Sequence, residues 1–133
     1  MFEQELFNNI KENFRVTNFN IGFGFGEVEE SQKAPYIVMY PINNDGTRQV
    51  LYDIDDYTDG QTSIQFSIYA EDYSNAAYIG RQLDIYLAGL KILTHYRILL
   101  NNSEVIRGFP DTNDGLSVET VTRLFTYTSY SST

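Results

Sequence analysis

The fold of this chain is decided by residues 63–90, with the sequence SIQFSIYAEDYSNAAYIGRQLDIYLAGL. From Ser63 to Ala70 apolar and polar side chains alternate, which is the period of a strand with one buried face. From Ala76 to Leu90 the apolar residues recur every three or four positions, which is the period of an amphipathic helix, and Ser74 and Asn75 suit its start. This stretch therefore predicts a strand followed at once by a helix.

The residues before this stretch predict a leading helix and further strands. Apolar residues from Phe2 to Phe14 form one helical stripe. Aromatic and isoleucine residues alternate with glycine and asparagine at 18–26, which indicates a strand softened or bulged by glycine. The continuous apolar run at 36–40 is typical of a central strand. The turn residues at 43–46 then predict a hairpin with a weak second strand at 48–52.

The residues after the central helix predict two short strands and a long closing strand. The short strands are expected at 94–100 and 104–107 around a turn at 101–103, and residues 108–115 are a turn-rich loop. All the elements together predict a single α+β domain over residues 1–133. Its last residues, 130–133, are expected to fray.

The closing strand, predicted at 116–127, carries apolar residues on both faces. One of these faces contains Val121, Phe125 and Tyr127. A sheet with helices on one side and water on the other needs apolar residues on one face only. Either helices cover both faces, therefore, or one face meets a partner chain, and these three residues are interface candidates.

Charge and cysteine content exclude several classes of protein. Eighteen acidic and nine basic residues give a formal net charge of −9, which opposes binding to nucleic acid through neutralised phosphates. The chain has no cysteine, which excludes a disulfide scaffold and Cys-ligated metal centres. Its first residues are acidic where a signal peptide is basic, and no apolar run approaches the roughly 20 residues that cross a bilayer. We expect a soluble intracellular protein with no membrane partner.

No catalytic or cofactor motif is complete. His95 is the single histidine, which excludes a multi-histidine metal site, and no serine lies in a nucleophile-elbow pattern. The glycines at 22–26 lack the spacing of a dinucleotide fingerprint. The aspartates at 53–59 resemble a calcium loop in composition, but tyrosine, threonine and isoleucine occupy three positions that an EF-hand requires for its ligands and glycine. We therefore predict a protein that is not an enzyme and holds no cofactor or metal, with a divalent site between subunits as the alternative for the aspartates.

The outer side of the central helix has a feature that indicates contact with another chain. Tyr78 and Ile85 lie seven residues apart, opposite the core stripe of the helix. A helix that only covers a sheet has no internal need for apolar residues there. We interpret both residues as part of an interface.

Three segments together resemble a family of phage proteins. They are APYIVMY at 34–40, QFSIYA at 65–70 and the helix through GRQL at 80–83. In this order, with a leading helix and a long closing strand, they resemble the tail-terminator, or tail-completion, proteins that join head and tail in long-tailed bacteriophages. The likeness in element order covers residues 1–129.

The resemblance implies a fold, a role and partners. The fold is a mixed, largely antiparallel β-sheet packed against the N-terminal and central helices. Six copies form a ring that ends the tail tube, contacts the tail-tube protein and a head-completion protein, and lets DNA pass without specific binding. The expected location is the head–tail junction of the virion, and the host cytoplasm during assembly. An acidic lining would let DNA slide, and its candidates are Asp53, Asp55, Asp56 and Asp59.

Other functions are compatible with the same residues. One is another head–tail connector component, such as a head-completion protein, which sequence separates poorly from a terminator. From different classes come a metal-dependent hydrolase that uses the aspartate-rich loop and a small-ligand-binding domain with an aromatic pocket. The hydrolase would bind one ion per chain, and the ligand-binding domain would be a monomer at micromolar concentration.

Overall fold

The structure is a computed structural model of the 133-residue chain, and it describes residues 2–27, 32–42, 59–106 and 115–129, with the backbone alone at 59 and 100–106. These residues form two helices and five strands. In chain order they are α1 (Phe2–Asn13), β1 (Gly22–Phe25), β2 (Tyr36–Ile42), β3 (Asp59–Ala70), α2 (Tyr73–Ala88), β4 (Tyr96–Ile106) and β5 (Ser117–Ser129).

Local sequence explains where both helices form. In α1, acidic residues lie in the first turn and Lys11 lies in the last, which favours the helix dipole. Helix α2 begins after Asp72, which caps it by accepting a hydrogen bond from the Asn75 backbone N–H at 3.0 Å. It ends where the Gly89 N–H donates to the Tyr86 carbonyl at 3.2 Å. Within the described residues, neither helix combines the length and apolar character needed to cross a membrane.

The strands form one mixed sheet in the order β1-β2-β3-β5-β4. Strand β1 is parallel to β2, and the other three neighbouring pairs are antiparallel. The closing strand β5 therefore lies between β3 and β4, which are joined in the chain through α2. The predicted fold class, an α+β fold with a largely antiparallel mixed sheet against two helices, is confirmed.

Both helices pack on the same face of the sheet. Alternate residues of β3 from Ile64 to Ala70 are buried there, as the alternation predicts, and they join buried residues of α1 and α2 in one apolar cluster. The first helix is anchored by Phe2, whose ring stacks on Tyr127 with 4.1 Å between centroids and meets the edge of Tyr96 at 5.5 Å. The core therefore lies between the helix layer and one sheet face.

No helix of the described residues covers the other face of the sheet. On β2, β3 and β5 this face consists of the side chains that alternate with the core positions, and we call it the open face. Val38 and Ser67 on this face are buried, whereas its other residues are half-buried or exposed. Its members are Tyr36, Val38, Tyr40, Gln61, Ser63, Gln65, Ser67, Tyr69, Val118, Thr120, Thr122, Leu124, Thr126 and Thr128, and the backbone of Asp59 at the start of β3 occupies the next position of the same face.

The structure corrects one strand prediction. The short strands expected at 94–100 and 104–107 are parts of the single strand β4, and the turn expected at 101–103 does not form. Residues of that segment pair with β5, so that sheet pairing overrides the turn preference of Asn and Ser. The register shifts between Ile98 and Leu100, which leaves the intervening residue in an irregularity of the ladder.

Several predicted segments fall outside the described residues. They are the strand at 48–52, the turn at 43–46, most of the loop at 108–115 and the fraying terminus at 130–133.

Candidate interaction surface on the central helix

The outer side of α2 carries one continuous row of exposed residues. They lie three or four positions apart, on one side of the helix, and we call them the α2 stripe. Tyr78 is 49% exposed and Ile85 is 60% exposed. None of the residues in the row is acidic, although the chain contains eighteen acidic residues. The members of the stripe are Ser74, Tyr78, Arg81, Ile85 and Ala88.

Tyr78 and Ile85 are thus exposed, as the sequence predicts. That a partner chain covers them stays a prediction. The Tyr78 ring is supported on one side by Phe19, which lies in the segment after α1, with 6.3 Å between ring centroids. Arg81, between the two residues, forms no ion pair with any described residue. The α2 stripe therefore offers apolar area together with an available positive charge.

Charged side chains beneath α2 hold the helix against β5. The Arg123 guanidinium on β5 donates to the Asp84 carboxylate at 2.6 Å, and the Arg123 side chain is only 3% exposed. Glu119, four residues before Arg123 on the same strand and equally buried, accepts a hydrogen bond from the Tyr73 hydroxyl at 2.6 Å. A buried charge without a partner is strongly unfavourable. These two contacts therefore determine where α2 lies along β5.

Gly80 allows the close approach between α2 and β5. A Cβ atom at this position would lie 3.0 Å from Cγ of Glu119 and 3.6 Å from Cδ1 of Ile68. Any larger residue would push the helix away from the strand or displace Glu119. The apolar pattern placed Gly80 in the core stripe, and its packing role follows only from the contact with β5.

A cavity of about 510 Å³ opens beside this contact. Its walls combine residues of the α2 stripe with the buried polar groups at the helix–strand contact. It is large enough to admit a side chain from another molecule or a small ligand. It is lined by Ser74, Ala77, Tyr78, Gly80, Arg81, Asp84 and Glu119.

The contact between α1 and the segment before β4 explains the role of the histidine. The Glu5 carboxylate accepts a hydrogen bond from the His95 backbone N–H at 2.8 Å and lies 2.5 Å from His95 Nδ1. The His95 side chain is 72% exposed. In the part of the chain that the structure describes, no group of three or more His, Asp or Glu residues could hold a metal ion. His95 therefore has a structural contact at the surface.

Two tyrosines beside this contact have altered acidity. Burial raises the pKa of the Tyr96 phenol, and the nearby carboxylates of Glu5 and Glu3 raise it further. Burial also raises the pKa of Tyr86, whose hydroxyl donates to the side-chain oxygen of Asn9. Both phenols therefore stay protonated at pH values where an exposed tyrosine ionises.

The structure corrects the interface predicted on β5. Val121 and Phe125 are completely buried, and Tyr127 is half-buried against Phe2 and Tyr96. The reason is that the two helices cover this face of the strand, so its apolar residues belong to the core. The opposite face of β5 is part of the open face.

The acidic candidates are described only in part. Asp53, Asp55 and Asp56 lie outside the described residues. Asp59 is the first residue of β3, where its backbone is paired with Thr128 of β5, so the strand begins within the predicted acidic loop. Their place in a lumen stays a prediction.

Sequence reasoning missed the buried polar groups of β5. Glu119 and Arg123 occupy the same alternating positions as Val121 and Phe125, which the pattern placed on one apolar face. Charged residues interrupting such a face are a signal that buried partners exist. The partners themselves come from α2 and could not be identified from spacing, because they are 46 and 39 residues away along the chain.

Comparison with known proteins identifies no family. The chain matches no protein-family model and no curated protein. Solved structures do align with it, and in one alignment 99% of this chain corresponds to 92% of the solved chain, with 16% sequence identity and a TM-score of 0.47. A likeness of this size supports no statement about function.

Proposed function

We propose that this chain is a structural subunit of a phage ring that terminates the tail tube and joins it to the head. The observation that carries the proposal is the α2 stripe, which exposes Tyr78 and Ile85 on a strongly acidic chain. Apolar side chains on the outer side of a helix are explained when another chain covers them. The proposed role requires no catalysis.

Charge supports assembly through this surface. Two copies that each carry a net charge of −9 repel one another over most of their surface. Contact is least opposed where acidic residues are missing, and the α2 stripe contains none. Full burial of a side chain such as that of Ile85 contributes roughly 1.5–3 kcal/mol, and this residue is 60% exposed in the single chain. The stripe can therefore stabilise an interface.

The resemblance in element order supplies the remaining parts of the proposal. It favours a ring of six copies at the head–tail junction, with the tail-tube protein on one side and a head-completion protein on the other. The acidic composition supports a passage that DNA crosses without adhering, since the chain opposes phosphate binding. Assembly would take place in the host cytoplasm.

The mass of the protein in solution tests the proposal. A ring of six copies should have a mass of about 92 kDa by light scattering, six times the chain mass of 15.3 kDa, and should appear as an annulus in negative-stain images. Ile85→Lys should leave circular dichroism unchanged and yield the monomer, because it places a charged group in the contact. The matched control, Asn8→Lys on the exposed side of α1, should retain the ring. A wild-type monomer at high concentration, or an intact ring in Ile85→Lys, would contradict the proposal.

A head-completion protein is the neighbouring alternative within phage assembly. Such a protein would need a portal to dock on, whereas a terminator should close rings when free. Negative-stain images of the isolated protein separate the two.

The cavity beside α2 favours a second candidate, a small-ligand-binding domain. Its volume of about 510 Å³ is in the range of ligand sites, and the buried Glu119 carboxyl contributes to its lining. A ligand-binding domain would remain monomeric at micromolar concentration, so the same mass measurement distinguishes it from the ring subunit. The hydrolase reading depends on aspartates that lie mostly outside the described residues.

A further inference from the structure

The cavity beside α2 contains two opposite charges that form no ion pair with any described residue. Glu119 is 3% exposed, and among the described residues its hydrogen-bond donor is the neutral Tyr73 phenol, which donates to Oε1 at 2.6 Å. Arg81 is exposed at the rim of the cavity. A ligand that carries a positive and a negative group can therefore pair with both residues.

The other acidic residue of the lining already has a cationic partner. Asp84 lines the cavity, and its Oδ1 atom accepts the 2.6 Å hydrogen bond from Arg123. Among the described residues, the carboxylate of the lining that lacks a cationic partner is thus that of Glu119. A buried carboxylate without a countercharge is unfavourable, so an ammonium group that enters the cavity stabilises it.

Gly80 brings the two charges within reach of one small molecule. A Cβ atom on Gly80 would lie 3.0 Å from Cγ of Glu119. Arg81 is the next residue of the helix, so its Cα atom lies within roughly 9 Å of that carbon. In an α-amino acid, the ammonium nitrogen and the carboxylate oxygens are about 3 Å apart. Its two charges can therefore contact Glu119 and the long side chain of Arg81 at the same time.

We propose that this cavity binds a zwitterionic α-amino acid, with the ammonium group toward Glu119 and the carboxylate toward Arg81. The Ser74 hydroxyl can accept from the ammonium group or donate to the carboxylate. The Tyr78 ring, 49% exposed, offers an apolar surface to the ligand's side chain. The proposal rests on the ligand-binding candidate for this cavity, and it does not require that copies of the chain form a ring.

The same two charges disfavour ligands that carry only one charge. Arg81 repels a simple cation from the rim, and Glu119 repels a simple anion from the interior. The cavity volume of about 510 Å³ leaves room for a large apolar side chain beside the two charged groups. Aromatic amino acids are therefore suitable probes.

Three compounds with the same phenyl group test the proposal. L-phenylalanine carries both charges, phenethylamine lacks the carboxylate, and 3-phenylpropionate lacks the ammonium group. In calorimetry near neutral pH, one L-phenylalanine should bind per chain with a Kd on the order of 0.1–1 mM, as expected for about twelve non-hydrogen atoms. Each of the other two should bind at least about 10-fold more weakly, because it lacks one charged hydrogen-bonding group.

The titrations use both the wild-type chain and Ile85→Lys. A neighbouring copy on the α2 stripe would cover the mouth of the cavity, because the two share Ser74, Tyr78 and Arg81. Ile85 does not line the cavity, so Ile85→Lys leaves its walls intact. Binding by either chain supports the proposal.

Substitution of each charge locates the site. Arg81→Gln should weaken the binding of L-phenylalanine at least about 10-fold without weakening that of phenethylamine. Glu119→Gln keeps an acceptor for the Tyr73 hydroxyl and should also weaken L-phenylalanine; if this variant fails to fold, the comparison of compounds in the wild type still tests the ammonium contact. Lys33→Gln, which removes an exposed cation outside the cavity, is the matched control and should bind normally. Amide NMR shifts should centre on residues 77–81.

Three outcomes would overturn the proposal. The first is no binding of L-phenylalanine by either chain at about 10 mM ligand, well above the expected Kd. The second is equal binding of the three compounds, which leaves a ligand site in the cavity but removes the recognition of both charges. The third is binding that Arg81→Gln does not weaken, or amide shifts confined to another part of the chain. The ligand-binding candidate itself is judged separately, by the mass of the protein in solution.

Discussion

Replacing Asp84 with alanine removes the carboxylate that accepts the 2.6 Å hydrogen bond from Arg123. The Arg123 side chain, only 3% exposed, then keeps its charge beneath α2 with this partner lost. Removing one partner of a buried ion pair costs roughly 3–5 kcal/mol. The Asp84 side chain is 29% exposed, so water already weakens the pair at that end. We therefore expect a loss of about 3 kcal/mol in the free energy of unfolding, at the lower end of this range.

Urea unfolding followed by circular dichroism measures this loss as a lower midpoint with an unchanged slope. For a chain of this length, a loss of about 3 kcal/mol corresponds to a fall in Tm of roughly 10 °C. Glu71→Ala is the matched control, because Glu71 is an exposed acidic residue just before α2. Its effect should stay within about 0.5 kcal/mol.

A second substitution tests whether the loss comes from the buried charge of Arg123. Adding Arg123→Met to Asp84→Ala replaces the buried guanidinium with an apolar side chain of similar length. Because buried ion pairs can be replaced by apolar residues at little cost, the double variant should recover at least about 1 kcal/mol of the loss. If Asp84→Ala costs less than about 1 kcal/mol, or if the double variant is no more stable than the single one, the Asp84 carboxylate does not balance the buried charge of Arg123 and the reasoning is refuted.

Three further outcomes are expected. Phe2→Ala should lower the free energy of unfolding, measured by urea unfolding, by about 3–5 kcal/mol, because Phe2 is 2% exposed and stacks on Tyr127. Phe7→Ala is the control and should lower it clearly less, because Phe7 is only half-buried. The free energy of unfolding should fall as the pH rises above about 10, because the unfolded chain releases the phenol protons of Tyr86 and Tyr96 while the folded chain, with raised pKa values, retains them. Ultraviolet titration of the folded protein should show that these two phenols ionise at higher pH. A free energy of unfolding that does not change in this range would contradict the prediction. Replacing the four aspartates of the predicted lumen with asparagine should raise DNA binding at low salt in a filter assay, and unchanged binding would count against a lumen position; the four are Asp53, Asp55, Asp56 and Asp59.

The spacing of apolar residues was sufficient to predict the type of an element and its buried side where one side of that element packs on the core. The alternation at 63–70 correctly predicted the inner part of β3, and the spacing of three and four correctly predicted α2 and its exposed Tyr78 and Ile85. Both periods follow from backbone geometry, so they can be read without knowing what lies opposite. A different signal, the turn preference of Asn and Ser, gave a wrong prediction at 101–103, where pairing with β5 extends β4 through these residues.

The composition and periodicity of this chain therefore determine its element types, its acidic character and the exposed apolar side of α2. They leave undecided which side of β5 belongs to the core, because both sides carry apolar residues. Tertiary packing decides it: α1 and α2 lie on the same face and bury Val121 and Phe125, and no helix of the described residues covers the opposite face. The contacts that fix this choice, such as that between Arg123 and Asp84, join residues far apart in the chain. Such residues come together only through the order of strands in the sheet. The spacing of apolar residues within one element does not determine that order.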